Sequence, residues 1–310
     1  MDATWHNSNF SVYSSIQYSV NFIVMKRFAP IFAGIGYSTI FGFSFLASKS
    51  ALEEVGPFEL LFLRFSFATL IFVLLVAFKI IKLSYRGKPL AQLVPVCLFQ
   101  PVLYFTCETF GIMECSTSTA GLVLGAVPVT VAFLAWFILD EKPTWLRMLS
   151  LFVSLSGVGF IALNLHGGEN TLFGLLLMFG AMASASLYNV FSRKSSPNFK
   201  PLETTFVMMV SGTLTFGLFA IANGSPALIQ RATHVLPSII YLGGLSSVVA
   251  FFLVNFNLSR LKASQSSVFS NISTAVAVAA GVLFRGEYFG PLQATGAVLI
   301  LLGVWGANRK

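Results

Sequence analysis

Ten runs of apolar residues, each near the length of one membrane crossing, dominate this chain. They fall at about 28–51, 57–81, 90–111, 116–139, 144–164, 171–192, 202–222, 233–258, 265–284 and 290–308. A helix rises 1.5 Å per residue, so about 20 apolar residues span the hydrocarbon core. Charged residues make up 10% of the chain, against about 25% in a soluble domain. The expectation is an all-α membrane protein with ten transmembrane helices. No connection is long enough to hold a folded domain, so a ligand must be bound largely within the membrane.

The net charge is +8, but its distribution speaks for topology and against nucleic-acid binding. With a cytoplasmic N-terminus, fifteen basic residues fall on inner segments: Lys26, Arg27, Lys79, Lys82, Arg86, Lys88, Lys142, Arg147, Arg193, Lys194, Lys200, Arg260, Lys262, Arg309 and Lys310. The outer side receives Lys49, Arg231 and Arg285. Such a bias places both termini in the cytoplasm. Cys97, Cys107 and Cys115 lie in or beside one helix and read as packing residues. His6, His166 and His234 are peripheral, so neither a metal nor another cofactor is expected. Residues 1–27 read as a tail, in which Met25 is the expected natural start or residues 1–24 a dispensable extension.

The chain repeats itself. At an offset of 144, Ser48-Lys49 matches Ser192-Arg193, Pro57 matches Pro201 and Glu59 matches Glu203. At 146, Pro128 falls on Thr274, Glu141 on Glu287, Ser150 on Gly296 and Gly157 on Gly303. The expected units are 28–164 and 171–308, five helices each. Five is odd, so the second unit begins on the opposite side from the first. The halves are therefore inverted repeats, an arrangement that in transporters places the binding site near the midplane between the halves.

Phe41-Gly42-x-x-Phe45-x-x-x-Lys49, then Pro57 and Arg64-Phe65, resembles the first element of the EamA-type members of the drug/metabolite transporter superfamily. Pro128, Glu141 and Gly157 resemble the second. Phe41 stands where the family usually has Trp, and Thr274 replaces the second-half Pro. The resemblance covers nearly the whole chain from about residue 28. It implies a ten-helix carrier with a central cavity, often exporting amino acids or other small metabolites, in the plasma (bacterial inner) membrane.

Several residues are candidates for the transport path. Gly34, Ser38, Phe41, Gly42, Phe45 and Lys49 share one helical face. That face is either a cavity wall ending in an anion-attracting residue, or a small-residue packing seam with Lys49 reaching the surface or pairing with Glu53. A charge at a membrane helix centre costs about 2.5 to 3.5 kcal/mol on insertion scales, so Arg64 needs a role. It either holds a substrate carboxylate or clamps helix packing, and the structural role is favoured. Gln100, Tyr104 and Glu108 recur at i, i+4 and i+8, next to Pro101, and read as a face lining the path, with Glu108 a candidate for proton coupling or for an ammonium group. Ser118/Ser264, Gly121/Ser267, Gly125/Asn271 and Pro128/Thr274 form matched walls or close-packed seams, with Asn271 the sharpest ligand candidate. Asn189 occupies the second-half counterpart of Phe45, and Asn255 and Asn257 lie near the inner end of the eighth run. Glu59 and Glu203 suit helix N-termini, while Glu141 and Glu287 sit at turns, where they cap or tie helices. The Ser150/Gly157 and Gly296/Gly303 spacing reads as a packing seam, within the chain or in a homodimer. Nothing resembles a nucleophile–base pair, a metal motif or a Walker sequence. A carrier of a small polar metabolite thus ranks above an enzyme and above a membrane receptor or assembly protein without transport.

Overall fold

The computed structural model describes residues 3–142, 144–162, 170–223 and 233–308. His166, Arg231, Arg309, Lys310 and the expected end of the first unit at residue 164 lie outside the described residues. Ten helices account for most of the described chain: α1 (Ala3–Leu52), α2 (Pro57–Ala77), α3 (Leu90–Met113), α4 (Thr117–Leu139), α5 (Trp145–Ala162), α6 (Leu172–Ser195), α7 (Pro201–Ala222), α8 (Leu236–Arg260), α9 (Ala263–Arg285) and α10 (Pro291–Asn308). No strand occurs among the described residues. Eight of the helices are long and apolar enough to cross a membrane, counting α1 from Phe28; α5 and α10 are the other two.

The outside of the bundle is apolar, with Phe32, Phe78, Leu218, Ile221 and Leu283 exposed, while Arg64, Glu108 and Asn255 are buried. This inverts the usual soluble pattern and suits a lipid solvent.

Local chemistry sets the helix ends, and it does so twice. Pro57 and Pro201 open α2 and α7, where the missing N–H costs nothing. Two residues on, Glu59 accepts from the Gly56 N–H at 3.1 Å and Glu203 from the Lys200 N–H at 2.9 Å. Glu203 also accepts from the Ser84 N–H at 3.2 Å and pairs with Lys88, tying the α2–α3 connection to α7. Helices α4 and α9 both end in a left-handed residue, Asp140 (φ 56°) and Gly286 (φ 64°), which lie 146 apart. Glu141 and Glu287 follow directly.

These two carboxylates hold the halves together in mirrored fashion. Glu287 accepts from the Ser118 hydroxyl (2.7 Å) and from the Thr117 and Ser118 N–H groups (2.7 and 2.8 Å) at the start of α4. Glu141 accepts from the hydroxyl of Ser264, near the start of α9, at 2.9 Å. Burial pushes the Glu287 carboxyl up, but the Ser118 and Thr117 donors outweigh it and hold the group below the usual carboxylate range.

The packing follows the same symmetry. α1 packs on α8 and α9, and its counterpart α6 packs on α3 and α4; α2 packs on α7, α4 on α9, and α5 on α10. The Thr69 and Thr213 hydroxyls, 144 apart, meet at 2.8 Å. Small residues permit the closest approaches: a Cβ on Gly121 would lie 2.7 Å from that of Ala277, and one on Gly42 would strike Val276. The Ser150 seam is used inside the chain, where Gly306 of α10 lies against the Ser150 hydroxyl.

The third helix of each half is not regular. Residues Leu98–Leu103 of α3 and Ile240–Ala250 of α8 adopt wider π-type turns. Gln100 leaves the helical region (φ −151°, ψ 116°) just before a cis bond to Pro101. The continuous face expected for Gln100, Tyr104 and Glu108 is therefore interrupted, because Pro101 cannot donate to the helix ladder. Such irregular turns recur at functional sites.

Candidate functional site

Both halves contribute walls to one cavity. The walls come from equivalent places. Phe41, Ser44 and Phe45 on α1 correspond, at 144, to Ala185, Tyr188 and Asn189 on α6. Phe105 and Glu108 on α3 correspond, at 146, to Phe251 and Val254 on α8; Gly121, Leu124 and Val127 on α4 correspond to Ser267, Ser270 and Ser273 on α9. Tyr37, Arg64, Gln100, Tyr104 and Thr274 complete the lining.

Arg64 is 2% exposed. Its Nε donates to the Ser247 hydroxyl and its Nη2 to the Ser246 hydroxyl, both at 2.8 Å on the π-type stretch of α8. Its Cζ lies 4.2 Å from the centre of the Phe105 ring, a cation–π contact. Nη1 makes no hydrogen bond among the described residues. Arg64 thus bridges α2 to α8 through two serine hydroxyls, and the same side chain also lines the cavity.

Glu108 is also 2% exposed and accepts from the Thr109 hydroxyl at 3.3 Å. No ion pair within 4.0 Å joins it to Arg64. The cavity thus holds a buried guanidinium and a buried carboxylate that do not neutralise each other by direct contact.

The sequence candidates separate clearly. Phe45, Gln100, Tyr104, Glu108, Asn189 and Arg64 meet in the cavity. Lys49 lies outside the lining: its ammonium donates to the Cys115 carbonyl at 2.5 Å. Arg193, its counterpart, donates to the Leu258 carbonyl at 2.9 Å. Both cations sit on carbonyls at the end of the third helix of their own half, where the helix dipole favours positive charge. Glu53 pairs with Arg285 at 2.6 Å, not with Lys49 in the i+4 manner. Asn271 is likewise outside the lining, with its amide donating to the Val268 carbonyl at 2.7 Å. Pro128 is buried at the start of the second segment of α4, beside the lining residue Val127. Glu141 and Glu287 are the interhelical ties described above.

Asn255 has the most complete network. Its carbonyl accepts from Tyr188 (3.0 Å) and Ser192 (2.7 Å), and its amide donates to Thr205 (3.0 Å), linking α6, α7 and α8. Asn257 is fully buried. Tyr37, Ser44, Phe105, Tyr188, Phe251, Ser270 and Ser273 were not legible as site residues one at a time. Once the lining of one half is known, the repeat offsets give part of the other: Ser44 leads to Tyr188, Phe105 to Phe251, and Leu124 and Val127 to Ser270 and Ser273.

A protein-family model, described as the EamA-like transporter family, matches residues 28–163 and again 172–309. The uncharacterized transporter YcxC of Bacillus subtilis (strain 168) is 35% identical over 287 residues, covering 89% of this chain and 91% of that protein. A probable terminal-alkyne amino-acid exporter of Streptantibioticus cattleyicolor is 26% identical over 203 residues, covering 65% and 67%. A solved crystal structure superposes with a TM-score of 0.65 at 18% identity, covering 88% of this chain and 95% of its own, which shows the shared fold. Two copies of one family unit, joined around a cavity within apolar helices, identify this chain as a membrane transporter of the EamA-like transporter family.

Proposed function

We propose that the protein is a ten-helix carrier built of two inverted repeats, with both termini cytoplasmic, in the plasma membrane. It moves a small zwitterionic metabolite of the amino-acid class, unchanged, through the cavity between the halves, in the direction of export. The observation that carries this is the coexistence of Arg64 and Glu108 in one buried cavity without a direct ion pair. Arg64 is fixed by Ser246 and Ser247 and keeps Nη1 for a carboxylate. Glu108 supplies the complement for an ammonium group. Binding a zwitterion satisfies both buried charges at once, which neither an apolar nor a singly charged molecule does. The name of the Streptantibioticus relative points to the same substrate class.

Purified protein in liposomes tests this. Amino-acid flux that depends on the protein, and that falls in Arg64→Met and in Glu108→Gln, is the expected result. Absence of flux across amino acids and related metabolites would favour a receptor or assembly role.

A further inference from the structure

The polar residues of the cavity are less evenly matched than their composition suggests, because most have already used their protons. Ser44 donates to the Phe41 carbonyl at 2.7 Å, and Ser267 to the Ser264 carbonyl at 3.1 Å. Ser270 donates to the Ser267 carbonyl, and Ser273 to the Ser38 carbonyl, both at 2.8 Å. Thr274 donates to the Gly121 carbonyl at 2.9 Å. Asn189 donates its amide nitrogen to the Ala185 carbonyl at 2.8 Å. A carbonyl only accepts, so this bond fixes the amide orientation and leaves the Asn189 oxygen over.

A hydroxyl has one proton and two lone pairs. Once the proton is spent on a backbone carbonyl, the group can only accept. With Tyr37, which donates to the Ser266 carbonyl at 2.7 Å, six lining hydroxyls are in that state, four of them on α9; Asn189 keeps its oxygen and also a second N–H. The counterparts of Ser267, Ser270 and Ser273 in the first half are Gly121, Leu124 and Val127, which offer no polar side-chain atom. Acceptors therefore concentrate on the α9 wall, whereas the guanidinium is held between α2 and α8.

We infer that this wall selects a substrate whose side chain ends in N–H donors: a primary amide, an amine or a guanidino group. The inference rests on the carrier reading and deepens it. A carboxylate end would set lone pairs against lone pairs. An apolar end would leave the acceptors without a partner after displacing solvent. A site built to receive a donor rejects the analogue lacking it far better than a hydrophobic pocket rejects a change in size.

Glutamine, glutamate and norleucine have similar chain lengths and differ in the chemistry of the end. Ligand-dependent thermal stabilisation of the purified protein ranks them. Half-saturation by glutamine is expected at a concentration at least about tenfold below that for norleucine and glutamate, the effect of one or two well-formed hydrogen bonds. In the double variant Ser267→Ala/Ser270→Ala the gap is expected to close to about threefold or less. Equal ranking, glutamate ahead, or a gap unchanged in the double variant would overturn the inference. The ranking on the native protein decides the matter even if the double variant fails to fold. Putrescine, an amine without a carboxylate, separates the two readings. If no amino acid binds but putrescine does, and its binding weakens in the double variant, the acceptor wall stands and the amino-acid reading falls. If nothing binds, putrescine included, both fall.

Discussion

The two halves agree where they hold each other and differ where they face the cavity. Glu59 and Glu203 cap equivalent helices, Lys49 and Arg193 sit on the same kind of carbonyl, and Glu141 and Glu287 tie equivalent helix starts. At the cavity, Phe45 faces Asn189 in the repeat correspondence, Glu108 faces Val254, Arg64 faces Met208, and Leu124 faces Ser270. Packing two similar units imposes the same geometric demands on both, so the chemistry of the joints repeats. A small polar ligand has no such symmetry. Its recognition needs different groups on its two sides, and the chain supplies them by divergence at equivalent positions.

Replacing one half's residue by the other's tests this division most severely. Arg64→Met places the second-half residue in the first half. It removes two charged hydrogen bonds and the free Nη1, so liposome flux is expected to fall about a hundredfold. Glu108→Gln keeps the shape and removes the charge; flux is expected to fall about tenfold with little change in the melting temperature.

The joints should show the opposite profile. Glu287→Gln loses charge from three hydrogen bonds and is expected to cost roughly 2–3 kcal/mol of stability, against about 1 kcal/mol for Glu141→Gln with its single bond. Unfolding in detergent, followed by denaturant or heat, measures the difference. Glu287 also has a pH signature. The Glu287 carboxyl lies below the usual range in the folded protein. Its contribution is therefore present above the ordinary carboxylate value and is lost as pH falls through the lower folded one. Acid melting curves should be less pH-dependent in Glu287→Gln than in the parent. Smallest of all, Lys49→Met is expected to cost about 0.5 kcal/mol and to leave ligand affinity unchanged. A large loss of affinity would return Lys49 to the binding site and break the division between joint and cavity.

Much of this was legible in the sequence, and the rest was hidden for identifiable reasons. Run length gave the helices, and the two offsets gave the repeat, because joints keep their chemistry. Gln100, Tyr104 and Glu108 stood out as costly groups in apolar surroundings. Lys49 looked like a ligand because a sequence shows a charge but not the carbonyl its long side chain reaches. Asn271 looked exposed to the path, although its own preceding turn takes its amide. The acceptor wall was concealed more deeply: a serine reads the same whether or not its proton is free, and only the bonding pattern tells.

The Thr69–Thr213 contact gives the molecule a fixed ruler. It joins two residues that are each other's counterparts, so it marks the line about which the halves are related. If the halves exchange shapes during transport, a distance across that line keeps its value. Glu141–Ser264 and Glu287–Ser118 lie off the line and exchange theirs. A spectroscopic label pair at 69 and 213 thus serves as the internal standard against which movement at either end can be read.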